Sequence, residues 1–384
     1  MFTVNRVLQV EARNMASTHK FHYNKNKKQD AWNEIAKYIG TPIDIVKLKI
    51  NSLLSSFRRE GKELKKENGY LAAGSSMKSL SYNYRLGLST VSNIIKSTCS
   101  ALWISFNKEY LPIPDKEKWL KIATDFEMKW NFPNCLGAID GKHVRIQAPP
   151  NTGSDYYNYK DFFSLILLAI CDANYCFTVI DIGAKGRQSD GGVFRNNNFG
   201  KQLFSNSLDL PPPRRLTNDV QPIPYYIIGD AAFPFGTNLM RPYPGNFLPQ
   251  EKRIFNYRLS RARRVIENTF GILVSKWRIL ERPIIAKLET IAKMIAALVC
   301  LHNFLKKSDA GKSENNKYCP SSYVDQENEA GEVIEGEWRT VVGTALSRTE
   351  RFGGNSYSQR AASIRSLLTD YFVNIAPIPP QWTK

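Results

Sequence analysis

The sequence predicts an α/β fold, a mixed β-sheet with flanking helices behind an all-α N-terminal region, on three observations. Two short apolar runs each carry an aspartate, Asp140 within Cys135–Ile146 and Asp230 within Tyr225–Phe233. Between them Phe162–Asp172 is almost unbroken in apolar residues, and Cys176–Gly183 returns after the turn Asp172-Ala173-Asn174. That is the pattern of a buried hairpin in a mixed sheet. Downstream, Phe255, Leu259, Ala262, Ile266, Phe270, Leu273 and Trp277 step by fours and threes, the continuous stripe of an amphipathic helix.

In chain order, residues 1–22 hold no clear pattern and are unassigned, with disorder one reading. Over 23–68, the basic, polar Asn24–Asp30 leads into a stripe of Trp32, Ile35, Ala36 and Ile39, ended by Gly40. After Pro42 a longer stripe (Val46, Ile50, Leu53, Leu54, Phe57) runs into Arg58, Arg59, Lys62, Lys65 and Lys66. The Asp30–Ala36 and Lys49–Arg59 segments resemble the second and third helices of MADF domains, Myb-like three-helix DNA binders. The aromatic pattern of a first helix is missing from residues 1–22, so the unit is partial; a basic helical hairpin is the alternative.

Residues 69–130 read as a helix-turn-helix region and linker. A helix at about Met77–Arg85 meets the turn Leu86-Gly87-Leu88. Ser89 is the expected N-cap of a second helix with Val91, Ile94, Ile95, Thr98 and Leu102 on one face. A glycine turn between two such helices is the usual cue. The outward positions Thr90, Ser92, Asn93 and Lys96 are candidate DNA contacts, a plain helical hairpin being the alternative. Residues 131–305 then read strand, strand, strand, helix, strand, helix, the core of the chain. A further stripe (Ile284, Ile291, Ile295, Leu298, Leu301) ends at His302, taken as a hydrogen-bonded structural histidine. Residues 306–345, with Glu327, Glu329, Glu332, Glu335 and Glu337, are expected to form a flexible acidic loop. Residues 346–384 are expected to form a C-terminal helix and tail docking on the core.

Asp140, Asp230 and Glu267 are 90 and then 37 residues apart. Two strand-borne aspartates and a helix-borne glutamate can converge on divalent cations, hard ions that prefer oxygen ligands. Without a cation such carboxylates repel one another. Glu267 lies at the edge of the apolar stripe, with Arg263, Arg264, Phe270 and Gly271 as helical neighbours. Gly271 leaves space for the carboxylate to reach a site; the bland alternative is a solvated pair with Arg263. Arg258, Arg261 and Arg264 recur every three residues off the stripe, suited to DNA phosphates or to salt bridges with core carboxylates. Asp190 either caps the helix that follows it or supports the site from outside.

These segments resemble the DDE superfamily transposases of the PIF/Harbinger group and the nuclease-like host proteins derived from them. The matching stretches are Ala138–Gly141, Ser189–Phe194, Gly229–Phe233, Leu239–Tyr243, Phe255–Gly271 and Leu301–Leu305. The resemblance implies an RNase H-like core with Asp140, Asp230 and Glu267 as metal-binding catalytic triad, and Mg2+ as the ion, with Mn2+ able to substitute. It implies DNA cleavage at terminal inverted repeats and joining of 3′-hydroxyl ends to target DNA. A separate Myb/SANT- or MADF-like DNA-binding partner, homo-oligomers on DNA and a nuclear location, with the cytoplasm as a second place, also follow from it. A domesticated DNA-binding protein that has stopped cutting is the alternative.

Composition agrees with a polyanion partner: 53 Lys and Arg against 35 Asp and Glu give a net charge of +18. No apolar run is expected to approach the roughly 18–20 residues of a membrane span. Arg6, Glu11 and Arg13 break up the N-terminus as a signal peptide. The six cysteines form no CxxC pair and the four histidines complete no zinc pattern with them, so buried free thiols in a reducing compartment are expected.

Overall fold

The computed structural model describes residues 70–217, 221–342 and 359–383; the unassigned stretch 1–22 and the MADF-like segment 23–68 lie outside them. Helices α1 (Tyr70–Ala73), α2 (Met77–Tyr84), α3 (Leu88–Tyr110) and α4 (Lys116–Trp130) come first. Strands β1 (Cys135–Arg145), β2 (Ser164–Cys171) and β3 (Phe177–Lys185) lead to helices α5 (Asp190–Asn196) and α6 (Asn198–Phe204). Strands β4 (Tyr226–Ile228) and β5 (Leu239–Met240) precede α7 (Gln250–Lys276) and α8 (Leu288–Lys307). A small hairpin, β6 (Gln326–Glu327) and β7 (Val333–Ile334), is followed by α9 (Trp338–Val342) and α10 (Gln359–Asp370). The chain divides into two compact units.

One unit gathers the residues up to Pro112 with Val144–Thr152 and Leu273–Ser321. A helix pair stands where the helix-turn-helix is expected. Ser76 Oγ caps α2 by accepting from Ser79 N–H at 3.0 Å, and Arg85 ends it in the left-handed region at φ 52°. Ser89 is not the next cap: α3 starts one residue earlier, behind Gly87, with no side-chain bond at its N-cap. The buried face of α3 packs on α8. Phe106 stacks on Phe304 at 5.4 Å between centroids, and Asn303 Nδ2 donates to Tyr110 O at 2.7 Å.

By this packing α8 groups with the helix-turn-helix helices. The reason is its composition: Ile291, Ile295, Leu298, Val299 and Leu301 are all buried, and a helix apolar on most sides needs a helical partner. By length and composition α8 could cross a membrane, contrary to the expected absence of such a run, yet 67% of it is buried inside the protein. His302 is fully buried with Nδ1 3.1 Å from the Tyr318 hydroxyl, the structural placement read from the sequence.

The other unit comprises Ile113–His143, Gly153–Ile272 and Ser322–Lys384. Its five-stranded sheet has the order β3-β2-β1-β4-β5. Strands β2 and β3 form the expected antiparallel hairpin, Leu165 opposite Lys185 and Cys171 opposite Phe177. Every residue of β2 is buried, as its unbroken apolar run requires. Strand β4 pairs in parallel with both β1 and β5, so the sheet is mixed. Gly137 in β1 has φ 155°, and a side chain there would meet Ile170 and the Cys171 carbonyl. The predicted stripe of α7 is buried from Phe255 through Phe270.

The stretch expected to be a flexible acidic loop is built instead as an ordered strap through residue 342. Asp325, fully buried, accepts from Gly336 N–H and takes the Arg339 guanidinium on both oxygens, at 2.8 and 2.6 Å. The Trp338 indole donates to Asn268 Oδ1 at 2.7 Å and fills the space that Gly271 leaves on α7. A buried tryptophan and the fully hydrogen-bonded Asp325 carboxylate anchor a stretch whose polar composition suggested a loop.

Candidate functional site

Strand pairing brings Asp140 and Asp230 to one level. Strands β1 and β4 are parallel with Ala138 opposite Ile228, and each aspartate lies two residues further along its chain. Sites in open α/β sheets form at such carboxyl ends of parallel strands. Each aspartate holds itself locally: Asp140 Oδ1 accepts from Gly141 N–H and Asp230 Oδ1 from Ala232 N–H, both at 2.9 Å. Glu267 comes from α7, next to the buried Ile266. All three carboxylates are half-buried.

Their charges act on one another. The Asp140 carboxyl is pushed up to about 8, first by burial, against the pull of Arg263, and then by Asp230, Asp190 and Glu267. Burial likewise raises Asp230, which Arg263 and the Ala232 N–H offset and Glu267 reinforces. Crowded carboxylates disfavour ionisation in this way. Arg263, one turn before Glu267 on α7, is the cation nearest in effect to both aspartates.

Asp190 is the residue that sequence reasoning undervalued. The cap of α5 is Ser189, whose Oγ accepts from Gly192 N–H at 3.2 Å, so Asp190 is released from that task. Its side chain is buried, and Oδ1 is shielded from solvent with no hydrogen-bond partner among the described residues. The carboxylate lies against Gly141, where any side chain would overlap it, and Gly191 lies equally close to the Ala232 carbonyl. Asp190 is thus wedged between the chain next to Asp140 and the chain next to Asp230. Burial and the Asp230 charge push it up to about 7, with Lys160 opposing. The signal for this was present in the sequence: a serine immediately before an aspartate competes for the cap and frees the aspartate.

The donor set is hard oxygen throughout. Excess negative charge and the orphaned Asp190 oxygen suit a divalent cation. Among the described residues no group of three His, Cys, Asp or Glu is closed to metal-ligand spacing, so the carboxylates converge without forming a finished cage.

The expected DNA contacts fare differently. Arg258 is fully buried: its guanidinium donates to Ala376 O at 3.0 Å, Gln381 Oε1 at 2.9 Å and Asn131 O, and lies 4.4 Å from the Phe372 ring centroid. No surface is left for a phosphate, and that expectation is corrected. Arg261 and Arg264 both pair with Glu327, and Tyr257 donates to the same carboxylate at 2.6 Å. Arg261 also donates to Trp130 O at 2.9 Å. Gly271, expected to leave room for Glu267, makes room for Trp338. In the other unit Thr90 and Asn93 are exposed, Ser92 is half-buried, and Lys96 pairs with Glu289 at 3.0 Å.

Residues 139–303 match the family model described as DDE superfamily endonuclease. Residues 16–87 match the model described as alcohol dehydrogenase transcription factor Myb/SANT-like, which extends past the expected 23–68 to include α1 and α2. The chain is 28% identical over 242 residues to the protein Antagonist of Like Heterochromatin Protein 1 of Arabidopsis thaliana, covering 61% of this chain and 59% of that one. An ALP1-like protein of the same plant is 29% identical over 196 residues, with 48% and 46% covered. The candidate nuclease HARBI1 of Homo sapiens is 25% identical over 214 residues, with 56% and 57% covered. The chain therefore spans less than two thirds of each of these curated relatives. No solved structure matches it. The stretch 139–303 thus matches the DDE superfamily endonucleases, and the mixed sheet with its helices is consistent with such a core.

Proposed function

We propose that the chain is a metal-dependent DNA endonuclease of the transposase type, acting in the nucleus on phosphodiester bonds at element ends. The observation that supports it most is the convergence of Asp140, Asp230, Asp190 and Glu267, a surplus of negative charge beside parallel strand ends. Asp140, Asp230 and Glu267 would hold Mg2+, or Mn2+ in its stead. When bound, two such ions stabilise the entering and leaving oxygens of an in-line displacement. Asp190 offers a fourth oxygen donor from the buried side of the site. Ser189 and Gly141 keep it there, one by taking the cap and the other by giving room. Arg263 balances the charge of Asp140 and Asp230 before the cation enters. Water is the nucleophile for nicking, and the freed 3′-hydroxyl serves for joining to target DNA. The net charge of +18 and the Myb/SANT-like match support DNA as substrate. A Myb- or MADF-like partner protein and homo-oligomers on DNA belong to the same reading.

A second reading is a catalytically silent DNA-binding or regulatory protein. Two observations favour it: no closed group of three metal donors exists among the described residues, and one relative is named as an antagonist of a heterochromatin protein. The experiment is incubation of the purified full chain with labelled DNA bearing the inverted repeats that flank its own gene, with and without Mg2+. Strand cleavage that depends on Mg2+ is the expected result. Binding without cleavage at any Mg2+ or Mn2+ concentration would leave the silent reading standing.

A further inference from the structure

Between β5 and α7 the chain makes a loop, residues 241–249, that is fastened at its base and open at its tip. Arg241 donates to the carbonyls of Ala231 and Phe233, at 3.4 and 3.3 Å, so the loop's first residue grips the turn that carries Asp230. Tyr243 and Asn256 exchange two hydrogen bonds, Tyr243 N–H to Asn256 Oδ1 at 2.7 Å and Asn256 Nδ2 to Tyr243 O at 3.0 Å. That pair ties the loop to α7, the helix of Glu267. Arg365 lies over the Tyr243 ring at 3.9 Å and donates to the carbonyls of Arg241 and Pro242 at 3.3 and 3.1 Å. Pro242, Pro244 and Pro249 stiffen the segment.

Above this base residues 244–247 are exposed, and Phe247 has the full accessibility of a free side chain, 101%. A phenylalanine held out on a braced support leaves its whole apolar surface in water. The residues beside it indicate its partner's chemistry. Lys252 and Arg253 are exposed in the first turns of α7, on a protein of net charge +18. Lys252 Nζ lies 5.2 Å from the Tyr243 ring centroid at the loop's base, and Glu251 is the exposed acid next to the two cations. A bare aromatic ring on a loop that leads into exposed cations suits nucleic acid, where cations meet phosphates and a ring stacks on or wedges between bases.

We infer that Phe247 inserts against a base step of duplex DNA flanking the cut, with Lys252 and Arg253 on the neighbouring phosphates. The inference rests on the reading of the substrate as DNA. Phe247 does not touch the reacting bond. Glu267 lies seventeen positions after Gln250 on α7, roughly 25 Å of helix at the usual rise. Along a duplex that is about seven base pairs.

The test uses the full chain without metal and a fluorescein-labelled 40-base-pair duplex of mixed sequence, with Phe247→Ala, Phe247→Trp and the double variant Lys252→Ala/Arg253→Ala. Removing one ring from a stacked base is worth about fivefold or more in affinity. Phe247→Ala is therefore expected to bind at least about fivefold more weakly with its dependence on log salt unchanged, while Phe247→Trp restores binding. The double variant should flatten that dependence by up to about 0.9 for each phosphate it no longer neutralises. A 2-aminopurine scan should show one position whose fluorescence rises with wild type and not with Phe247→Ala. Equal affinity and equal 2-aminopurine response for wild type and Phe247→Ala would overturn the inference while DNA binding stands. A lower melting temperature of Phe247→Ala, or its conversion from dimer to monomer, would assign the ring to packing or to a second copy and also overturn it. Failure of wild type to bind the duplex at all would instead remove the DNA reading itself.

Discussion

Two carboxylate sites share helix α7 and teach opposite lessons. Around Glu267, the carboxylates of Asp140, Asp230 and Asp190 crowd together with Arg263 opposing them, and the aspartates are pushed above the ordinary carboxylate range. Around Glu327, Arg261, Arg264 and the Tyr257 hydroxyl converge on a single carboxylate. The residue types are the same, and the arginines of the two sites are near neighbours in sequence. The difference is charge balance. A carboxylate enclosed by opposite charge and a hydroxyl donor stays ionised and holds its neighbours in place, whereas like charges crowded at half-buried positions disfavour ionisation and mark a candidate functional site.

The contrast breaks most visibly at the acidic site. Asp140→Asn, Asp230→Asn and Glu267→Gln should each lower Mg2+-dependent cleavage by more than the 10- to 100-fold that losing an outer partner of a metal site costs. Without metal, at a pH above about 8 where Asp140 is ionised, Asp140→Asn should melt no lower than wild type, because it removes one of several repelling charges. Wild-type cleavage in any of the three would end the assignment. Arg258→Met should behave in the reverse way. It removes a buried guanidinium with three hydrogen-bond acceptors, so roughly 3 kcal/mol of stability should be lost, with the salt dependence of DNA binding unaltered. A flattened salt dependence measured on the folded variant would return Arg258 to the DNA contacts.

A smaller effect is expected where the strap meets α7. Gly271→Ala drives a methyl group into the Trp338 indole and should cost about 1–3 kcal/mol. Its Mn2+ affinity should stay at the wild-type value; a loss of metal binding at full stability would mean that the glycine serves Glu267 after all. The smallest effect concerns His143 in β1. Burial, with Lys160 and Lys142 nearby, lowers its ring to about 4, from an ordinary 6.5, while Nδ1 lies 2.8 Å from Ser164 Oγ. Between those values the unfolded chain binds the proton and the folded chain does not. Stability should therefore be complete above pH 6.5 and fall as pH drops from 6.5 towards 4, by at most about 1.4 kcal/mol per unit. His143→Gln should abolish that part of the acid dependence in thermal melts; an unchanged profile would acquit the histidine.

The order of strands and helices in the second unit was legible because each element advertises its period. The eight buried residues of β2 and the stripe from Phe255 to Phe270 could hardly be read otherwise. Asp140 and Asp230 could be singled out for a related reason, since a charged residue within an apolar strand is costly unless something requires it; their grouping with Glu267 came from the family resemblance. What escaped was whatever depends on the partner. Arg258 and Arg261 look alike in a three-residue repeat, yet one is sealed under Gln381 and Phe372 and the other turns to Glu327. The acidic strap looked like solvent-facing sequence because nothing local signals that Trp338 will meet Gly271.

By itself, then, the sequence determined the α/β class, the hairpin of β2 and β3, the amphipathic face of α7 and the identity of the acidic residues. These follow from periodicity and from the cost of burying charge, which act over a few neighbouring residues. Only the tertiary structure decided that Ala138 pairs with Ile228, so that Asp140 and Asp230 reach one level. It alone decided that Asp190 points past its helix towards Gly141, that α8 packs on α3, and which arginine is buried. Those outcomes depend on register and on contacts between residues scores of positions apart. Side chains of one type compete for such contacts, and the choice among them is made by packing, not by spacing.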